Sequence, residues 1–353
     1  MNNENVPEYI SFFTVDGNEF LRHRYEGSSI ISIELKRKKR GSFIFRDEKE
    51  LLAYWLSEHV FSDAPHPTLI SEYGFNRTAL EGLKKSIPGL RVIYTLHNNH
   101  LAAPYRYGSK IKPELQDFMD HLAEYDAVVV LTDEQRIDIM KQFAPLANIH
   151  VIPHHVPDFP SISATRDPMK VVLVGRYTSI KGQLDAIEAF REVSTRFPQA
   201  TLELYGRGPD EEEIRKAIGA AGLVDQVRIM GFTDNSLATF EGAALSLQPS
   251  YMEGYALSLQ ESMASGCVPV AYDFKYGARA QITNGEDGIL VDTGNIRELA
   301  AAIILLLSDP KYLMTLSSAA RNCKRSSTQQ QVVQSWGVLF RNVRSEVESN
   351  LAI

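Results

Sequence analysis

The stretch Pro249-Ser-Tyr-Met-Glu-Gly-Tyr-Ala-Leu-Ser-Leu-Gln-Glu-Ser-Met-Ala-Ser-Gly-Cys-Val-Pro-Val270 decides the reading of this chain. An apolar run, Ala244-Leu-Ser-Leu247, enters it as a strand, Gly254 permits a tight turn, and Leu257 to Ala264 has helical spacing. Glu253 therefore falls on the loop and Glu261 on the helix. A helix that starts between them offers unpaired N–H groups and a positive partial charge to an anion through Tyr255, Ala256 and Leu257. The flanking carboxylates can accept hydrogen bonds from sugar hydroxyls. Taken alone, two glutamates so placed are also what an ordinary solvated surface presents.

A second stretch narrows the choice. Val171-Val-Leu-Val-Gly-Arg-Tyr-Thr-Ser-Ile-Lys-Gly182 reads as a buried strand, a glycine turn at Gly175 and the start of a helix. Arg176 and Lys181 then stand at the carboxyl end of a strand, where open α/β sheets bind their ligands. An arginine can fork onto a diphosphate and a lysine adds a mobile point charge, so the two together can neutralise a departing nucleoside diphosphate.

Outward from these stretches, strands are expected at 170–174, 201–205, 227–230, 244–247, 268–271 and 288–291, with helices near 181–196, 210–221, 235–242, 257–265 and 295–307. Such βα alternation implies a doubly wound parallel sheet. Two further helices, near 311–322 and 328–349, end the chain. Upstream, strands at 68–72, 91–96, 127–131 and 149–152 alternate with helices near 75–86, 111–124 and 133–142, which is half of a second Rossmann-like domain. Residues 9–45 read as β-rich, with strands at Ile30–Leu35 and Ser42–Phe45 around the basic run Lys36-Arg-Lys-Lys-Arg40. Asp47 caps a helix expected to reach Val60, with Glu50 completing a capping box. The proline-rich segment His154 to Pro168 reads as a linker. The domains expected are a β-rich segment 1–45, an incomplete Rossmann-like domain 46–157, a complete Rossmann-like domain 158–324 and a C-terminal helix 325–353.

Composition sets outer limits. With 353 residues, 44% of them apolar, the chain can bury substantial cores. Its 37 basic and 44 acidic residues give a net charge of −7, which argues against general nucleic-acid binding. The two cysteines, Cys267 and Cys323, stand far apart and in no metal-type spacing, so a reducing cytoplasm is the expected compartment. The first residues, Met1 to Pro7, lack a signal-type apolar core, and the apolar run Leu299 to Leu307 is too short for a membrane span.

From about Arg91 to Leu307 the chain resembles retaining glycosyltransferases of GT-B architecture. More narrowly, it resembles the poly(glycerol-phosphate) α-glucosyltransferases and poly(ribitol-phosphate) N-acetylglucosaminyltransferases of wall teichoic acid synthesis. The Gly175-Arg176 and Lys181-Gly182 pair, the two glutamates and Asp273-Phe-Lys-Tyr-Gly277 carry the resemblance.

The resemblance implies a UDP-glucose or UDP-N-acetylglucosamine donor, no separate cofactor, no metal, and a polyanionic polymer or a protein as acceptor. Arg176 and Lys181 would hold the diphosphate, Glu253 the transferred sugar and Glu261 the ribose. His97, which follows a strand in Tyr94-Thr-Leu-His-Asn-Asn-His100, would approach the reacting sugar; a structural histidine is equally compatible with that position. Lys275 and Arg279 are either contacts to a phosphate or solvated loop charges, and the Lys36–Arg40 run has the same two readings. In the family a strand and a glycine-rich loop open the first domain. No such unit precedes residues 9–45 here, so a fragment or shortened relative with an open sheet edge is expected. Peripheral membrane association, a homo-oligomer or a partner subunit stay open. The alternative function is a catalytically weak glycosyltransferase-like subunit that binds a glycan or acceptor for a partner enzyme.

Overall fold

The computed structural model describes residues 7–37, 41–72, 77–143, 145–155, 166–322 and 328–351, with the backbone alone for 345–351. Lys38 to Arg40, the linker residues 156–165 and Cys323 lie outside the described residues. Internal contacts divide the chain into two units, Met1–Ile93 with Asp120–Asp126, and Tyr94–Met119 with Ala127–Ile353.

The first unit opens with an antiparallel sheet, β1 (Tyr9–Phe13), β2 (Glu19–Glu26), β3 (Ser29–Arg37) and β4 (Gly41–Phe45), in sequential order. The β-rich expectation holds, with two strands more than the sequence marked individually. Cross-strand partners Leu21, Leu35 and Phe43, and His23, Ile33 and Phe45, line one face. The helix α1 (Glu48–Trp55) covers that face through Tyr54, whose ring centroid is 5.1 Å from Phe43 and 5.2 Å from Phe45.

Asp47 caps α1, accepting the Lys49 and Glu50 N–H groups at 2.9 and 3.0 Å. The capping box takes a different form from the one expected. Glu50 reaches past Asp47 to the N–H of Arg46 at 2.8 Å, and its carboxylate also meets the Arg46 guanidinium. Nor does α1 run on to Val60, since Leu56–Val60 form a wider π-helical turn. Lys36 and Arg37 belong to β3 and not to a hairpin tip, and Lys36 pairs with Glu19. After β5 (Thr68–Ser71) and α2 (Arg77–Ser86), Asp126 gathers Lys84 at 2.9 Å, Arg91 at 3.1 Å and the Val92 N–H at 2.8 Å.

A further sheet has the order β5, β6 (Arg91–Leu96), β7 (Ala127–Val130), β8 (Ile149–Val151), with β7 and β8 parallel. The helices of this stretch are α3 (Pro113–Asp120) and α4 (Asp133–Phe143); the helix expected over 111–124 breaks after Asp120 and resumes as a 3-10 turn, Leu122–Glu124.

The second unit contains the sheet that positions the site. It has six strands, β9 (Asp167–Val174), β10 (Thr201–Tyr205), β11 (Val227–Gly231), β12 (Ala243–Gln248), β13 (Val268–Tyr272) and β14 (Ile289–Val291), in the order β11-β10-β9-β12-β13-β14, all parallel. Every residue of β12 and β13 is buried, as a sheet covered on both faces requires. β9 begins at Asp167, so the expected linker ends two residues sooner than its prolines suggested.

The helices are α5 (Gln183–Arg196), α6 (Glu211–Ala221), α7 (Ser236–Glu241), α8 (Leu257–Ala264), α9 (Ala278–Gln281), α10 (Ile296–Ser308), α11 (Pro310–Arg321) and α12 (Gln329–Leu351). Of these only the single turn α9 was absent from the sequence reading. The apolar run 299–307 lies in α10 and supplies its buried residues Leu299, Ala300, Ala302, Ile303, Leu306 and Leu307, and among the described residues no single helix is long and apolar enough to cross a membrane. Strand order reverses between β9 and β12, and open α/β sheets bind ligands at the carboxyl ends of such a pair.

Candidate active site

Two turns leave the carboxyl ends of β9 and β12. In the first, the Gly175 N–H continues strand pairing by donating to the Tyr205 carbonyl at 2.9 Å. Tyr177 turns inward, fully buried, and donates its hydroxyl to the Leu204 carbonyl at 2.8 Å. That inversion leaves Arg176 on the exposed side, held through its carbonyl by the Gln183 amide at 2.9 Å. The Arg176 guanidinium has no hydrogen-bond or ion-pair partner among the described residues. A 3-10 turn, Ser179–Lys181, brings the chain to Gly182 at φ +67°, where a Cβ would lie 2.0 Å from the Pro249 carbonyl oxygen. Only glycine fits there.

The second turn is gripped from several sides. Its Tyr251 N–H donates to the Ile180 carbonyl at 2.8 Å, tying it to the first turn. Glu253 exchanges backbone hydrogen bonds with the 275–276 segment: its N–H donates to Lys275 at 3.2 Å, and it accepts from the Tyr276 N–H at 2.9 Å. The Asn99 amide donates to the same Lys275 carbonyl at 3.0 Å. Gly254 lies so close to the His97 carbonyl that a Cβ would stand 1.7 Å from the oxygen. Ala256, at φ +61°, is the N-cap of α8 and has no side-chain oxygen with which to cap it. The first N–H groups of the helix therefore lack a side-chain cap, and its positive end faces the turn.

Of the charged residues singled out by the sequence, Lys181 and Glu253 are brought into contact, Arg176 and Glu261 stand on the adjoining turn and helix, and Lys275 and Arg279 are held by other partners. Lys181 Nζ meets Glu253 Oε1 at 2.5 Å, with the two side chains 25% and 11% exposed. The same Oε1 accepts from Gln248 Nε2 at 3.0 Å. Arg176 stands on the same turn as Lys181. Glu261, one helical turn beyond Leu257, is half-buried, and its carboxylate has no partner among the described residues.

Lys275 is committed elsewhere, to Asp138, which is 5% exposed, and to Glu134 at 3.0 Å. Burial works to lower the pKa of this ammonium, but the two carboxylates raise it overall. Arg279 forks onto Asp273. Tyr276 donates to Asp138 at 3.1 Å, and burial, reinforced by that carboxylate, drives its hydroxyl well above the ordinary range.

His97 packs face to face on His154, with ring centroids 5.5 Å apart. His100 is fully buried over Tyr276, and burial pushes its pKa down to about 4, so it is neutral at pH 7. Cys267 is buried with its thiol pushed up to about 12 by desolvation, which makes it inert. Among the described residues no group of three His, Cys, Asp or Glu side chains is placed to hold a metal ion.

Sequence reasoning did not find Gln248, Asn99 or Asp138. A polar residue closing an otherwise apolar strand was the available signal for Gln248; the other two act across long sequence separations and gave none.

A helix N-terminus flanked by cations and carboxylates at the switch point of a doubly wound sheet stands where open α/β folds bind anionic ligands. Residues 158–323 match the family model of glycosyl transferases group 1, and this segment is a group 1 glycosyltransferase domain. The chain is 30% identical over 303 residues to poly(glycerol-phosphate) alpha-glucosyltransferase of Bacillus subtilis (strain 168), covering 84% of this chain and 44% of that protein. It is 24% identical over 318 residues to the GtfA subunit of the UDP-N-acetylglucosamine–peptide N-acetylglucosaminyltransferase of Streptococcus gordonii, covering 86% of this chain and 62% of that one. The chain thus spans less than two thirds of the length of either relative. A crystal structure of a S. aureus TarM variant with Fondaparinux, alpha-GlcNAc-glycerol and UDP superposes with a TM-score of 0.86 at 23% identity, over 96% of this chain and 68% of that one. The fold is GT-B.

Proposed function

We propose that the protein transfers a hexose, glucose or N-acetylglucosamine, from a UDP-sugar to a hydroxyl of a phosphate-rich polymer or of a protein, with retention of configuration. The observation that carries this reading is the Lys181–Glu253 pair beside α8, whose N-terminus has no side-chain cap, with Arg176 on the same turn as Lys181 and Glu261 on α8 itself. Arg176 and Lys181 meet the diphosphate, and the α8 N–H groups add partial positive charge. Glu261 takes the ribose hydroxyls and Glu253 those of the sugar.

The bond from the anomeric carbon to the diphosphate oxygen breaks while the acceptor oxygen attacks on the same face. The acceptor proton passes to the departing phosphate oxygen. The protein positions the reactants and neutralises developing charge. With two cations and a helix end serving the diphosphate, the reaction is expected to proceed in chelator, and a strict demand for Mg²⁺ or Mn²⁺ would overturn that part of the reading. A nucleotide-sugar donor and a buried thiol fit a cytoplasmic setting.

The phosphate-rich acceptor follows the Bacillus relative and the protein acceptor the Streptococcus one. The latter is named as a subunit, which favours a second reading, a binding partner of another enzyme. The deciding experiment measures UDP release from UDP-glucose and from UDP-N-acetylglucosamine, with and without poly(glycerol phosphate) or acceptor peptide. Acceptor-dependent multiple turnover supports the enzyme. UDP binding without turnover supports the subunit.

A further inference from the structure

Gln248 closes β12 and is 6% exposed. Both ends of its amide are committed. Nε2 donates to Glu253 Oε1 at 3.0 Å and to Ser250 Oγ at 2.9 Å, while Oε1 accepts from Ser258 Oγ at 3.0 Å. Ser258 is the second residue of α8, so a single amide joins the strand end, the glutamate turn and the first turn of the helix. The Glu253 carboxylate, which can only accept, fixes which end of the amide faces it: a flipped amide would set its oxygen against the carboxylate, while the Ser258 hydroxyl holds the other end of the amide in place.

Glu253 Oε1 is the oxygen that Lys181 also holds. Both donors, the Lys181 ammonium and the Gln248 amide, meet Oε1, and Oε2 accepts no hydrogen bond among the described residues. Without Gln248, the carboxylate is free to rotate and offer both oxygens to the ammonium.

We propose that Gln248 is a positioning residue for sugar transfer: it holds Glu253 so that one carboxylate oxygen serves the Lys181 pair and the other is presented to the transferred sugar. The proposal rests on the reading of Glu253 as a sugar contact. It assigns Gln248 an effect on turnover and not on nucleotide affinity, because its hydrogen bonds reach Glu253 and neither Arg176 nor Glu261.

The test is a double-mutant cycle on the full chain, with UDP-glucose and UDP-N-acetylglucosamine as donors and UDP affinity measured by calorimetry. Gln248→Leu should lower kcat about tenfold, the loss of one hydrogen bond to a charged group, with UDP affinity unchanged. Ser258→Ala, which removes the hydrogen bond that anchors Oε1 of the amide, should lower kcat in the same direction by less, and covers the case in which the leucine variant folds poorly. In a Glu253→Ala background, Gln248→Leu should cost nothing further, whereas a packing role would cost the same in both backgrounds.

Additive losses, or a change confined to UDP affinity, would overturn the proposal while leaving the donor-site reading standing. A Glu253→Ala variant with wild-type kcat, or wild-type protein inert towards both donors, would remove the reading beneath it and the proposal with it.

Discussion

The turns after β9 and β12 sit side by side on adjacent strands and are held in opposite ways. The β9 turn is anchored by its backbone and by Tyr177, and it leaves the Arg176 guanidinium with no hydrogen-bond or ion-pair partner among the described residues. The β12 turn is clamped by Ile180, Lys275, Tyr276 and the His97 carbonyl, and its Glu253 side chain is already engaged by Lys181 and Gln248. An unpartnered cation has its hydrogen bonds still to make, and a diphosphate is the ligand that would complete them. A pre-paired carboxylate, by contrast, is preorganised and pays little reorganisation when the sugar arrives. Charge capture and geometric precision are thus divided between neighbouring turns.

The sharpest way to break that division is to remove each cation. Arg176→Ala should cost about a hundred- to a thousandfold in turnover, the loss expected for a preorganised donor to a developing anion, with little change in melting temperature, because the side chain is exposed and its guanidinium makes no hydrogen bond or ion pair among the described residues. Lys181→Ala should show a similar kinetic loss and a lower melting temperature as well, since it strands Glu253, 11% exposed, without its cation. Equal thermal behaviour of the two variants, followed by differential scanning calorimetry beside UDP release, would show that the turns do not differ in the way described.

Geometric precision is tested next by Gly254→Ala. The added methyl would stand 1.7 Å from the His97 oxygen, so the turn must move. A displacement near 1 Å at a reacting centre costs about a hundredfold, and the loss should fall on kcat while UDP binding, carried by Arg176 and Glu261, persists. Wild-type kinetics in this variant would mean that the clamp on the β12 turn has no bearing on transfer.

The two glutamates separate more gently. The Glu261 carboxylate on α8 has no partner among the described residues, and its replacement by alanine should weaken UDP binding by about tenfold or slightly more, the worth of hydrogen bonds to a charged acceptor, with kcat nearly intact. Glu253→Ala should do the reverse. Isothermal titration with UDP, set beside steady-state kinetics, distinguishes them, and identical signatures would merge the two roles.

The β12 turn and its helix were legible in the sequence because each local signal pointed the same way: an apolar strand, a glycine where backbones meet, then helical spacing from Leu257. The six strands around them were equally plain, since buried parallel strands read as continuous apolar runs. What could not be read was the set of contacts between distant segments. Asn99 reaches Lys275 across 176 residues and Asp138 reaches it across 137. No periodicity encodes such pairs, so Lys275 read as either a phosphate contact or a solvated loop charge when it is the half-buried partner of the buried Asp138. The single turn α9 was too short to carry a period, and β1 and β2 were covered by the β-rich reading without being resolved from it. Gln248 lay between; its type was anomalous for a buried strand, but its partners on two different elements are visible only in three dimensions.

The smallest effect at neutral pH, and a way to sharpen the account of the clamp, concerns His100. Its ring is buried against Tyr276, whose N–H holds the Glu253 carbonyl. Burial lowers the imidazole pKa to about 4; Asp138 opposes that shift, and Lys112 and Lys275 add to it. The unfolded chain takes up a proton at about 6.5 and the folded chain does not until about 4, so the unfolded state binds more protons between those values and stability rises with pH there. The contribution is complete above about 6.5 and is lost as pH falls towards 4, amounting to about 2–3 kcal/mol by pH 4.5. Urea denaturation at pH 7 and pH 4.5 should show this loss on top of that from titrating carboxylates, and His100→Gln, which cannot protonate, should lack the histidine share. The same acid range should loosen the Glu253 turn before the six-stranded sheet unfolds, so turnover should fall ahead of the unfolding transition in the wild type but not in His100→Gln. If both proteins lose activity and stability in step, the His100–Tyr276 contact supports the fold as a whole and is no part of the clamp on the β12 turn.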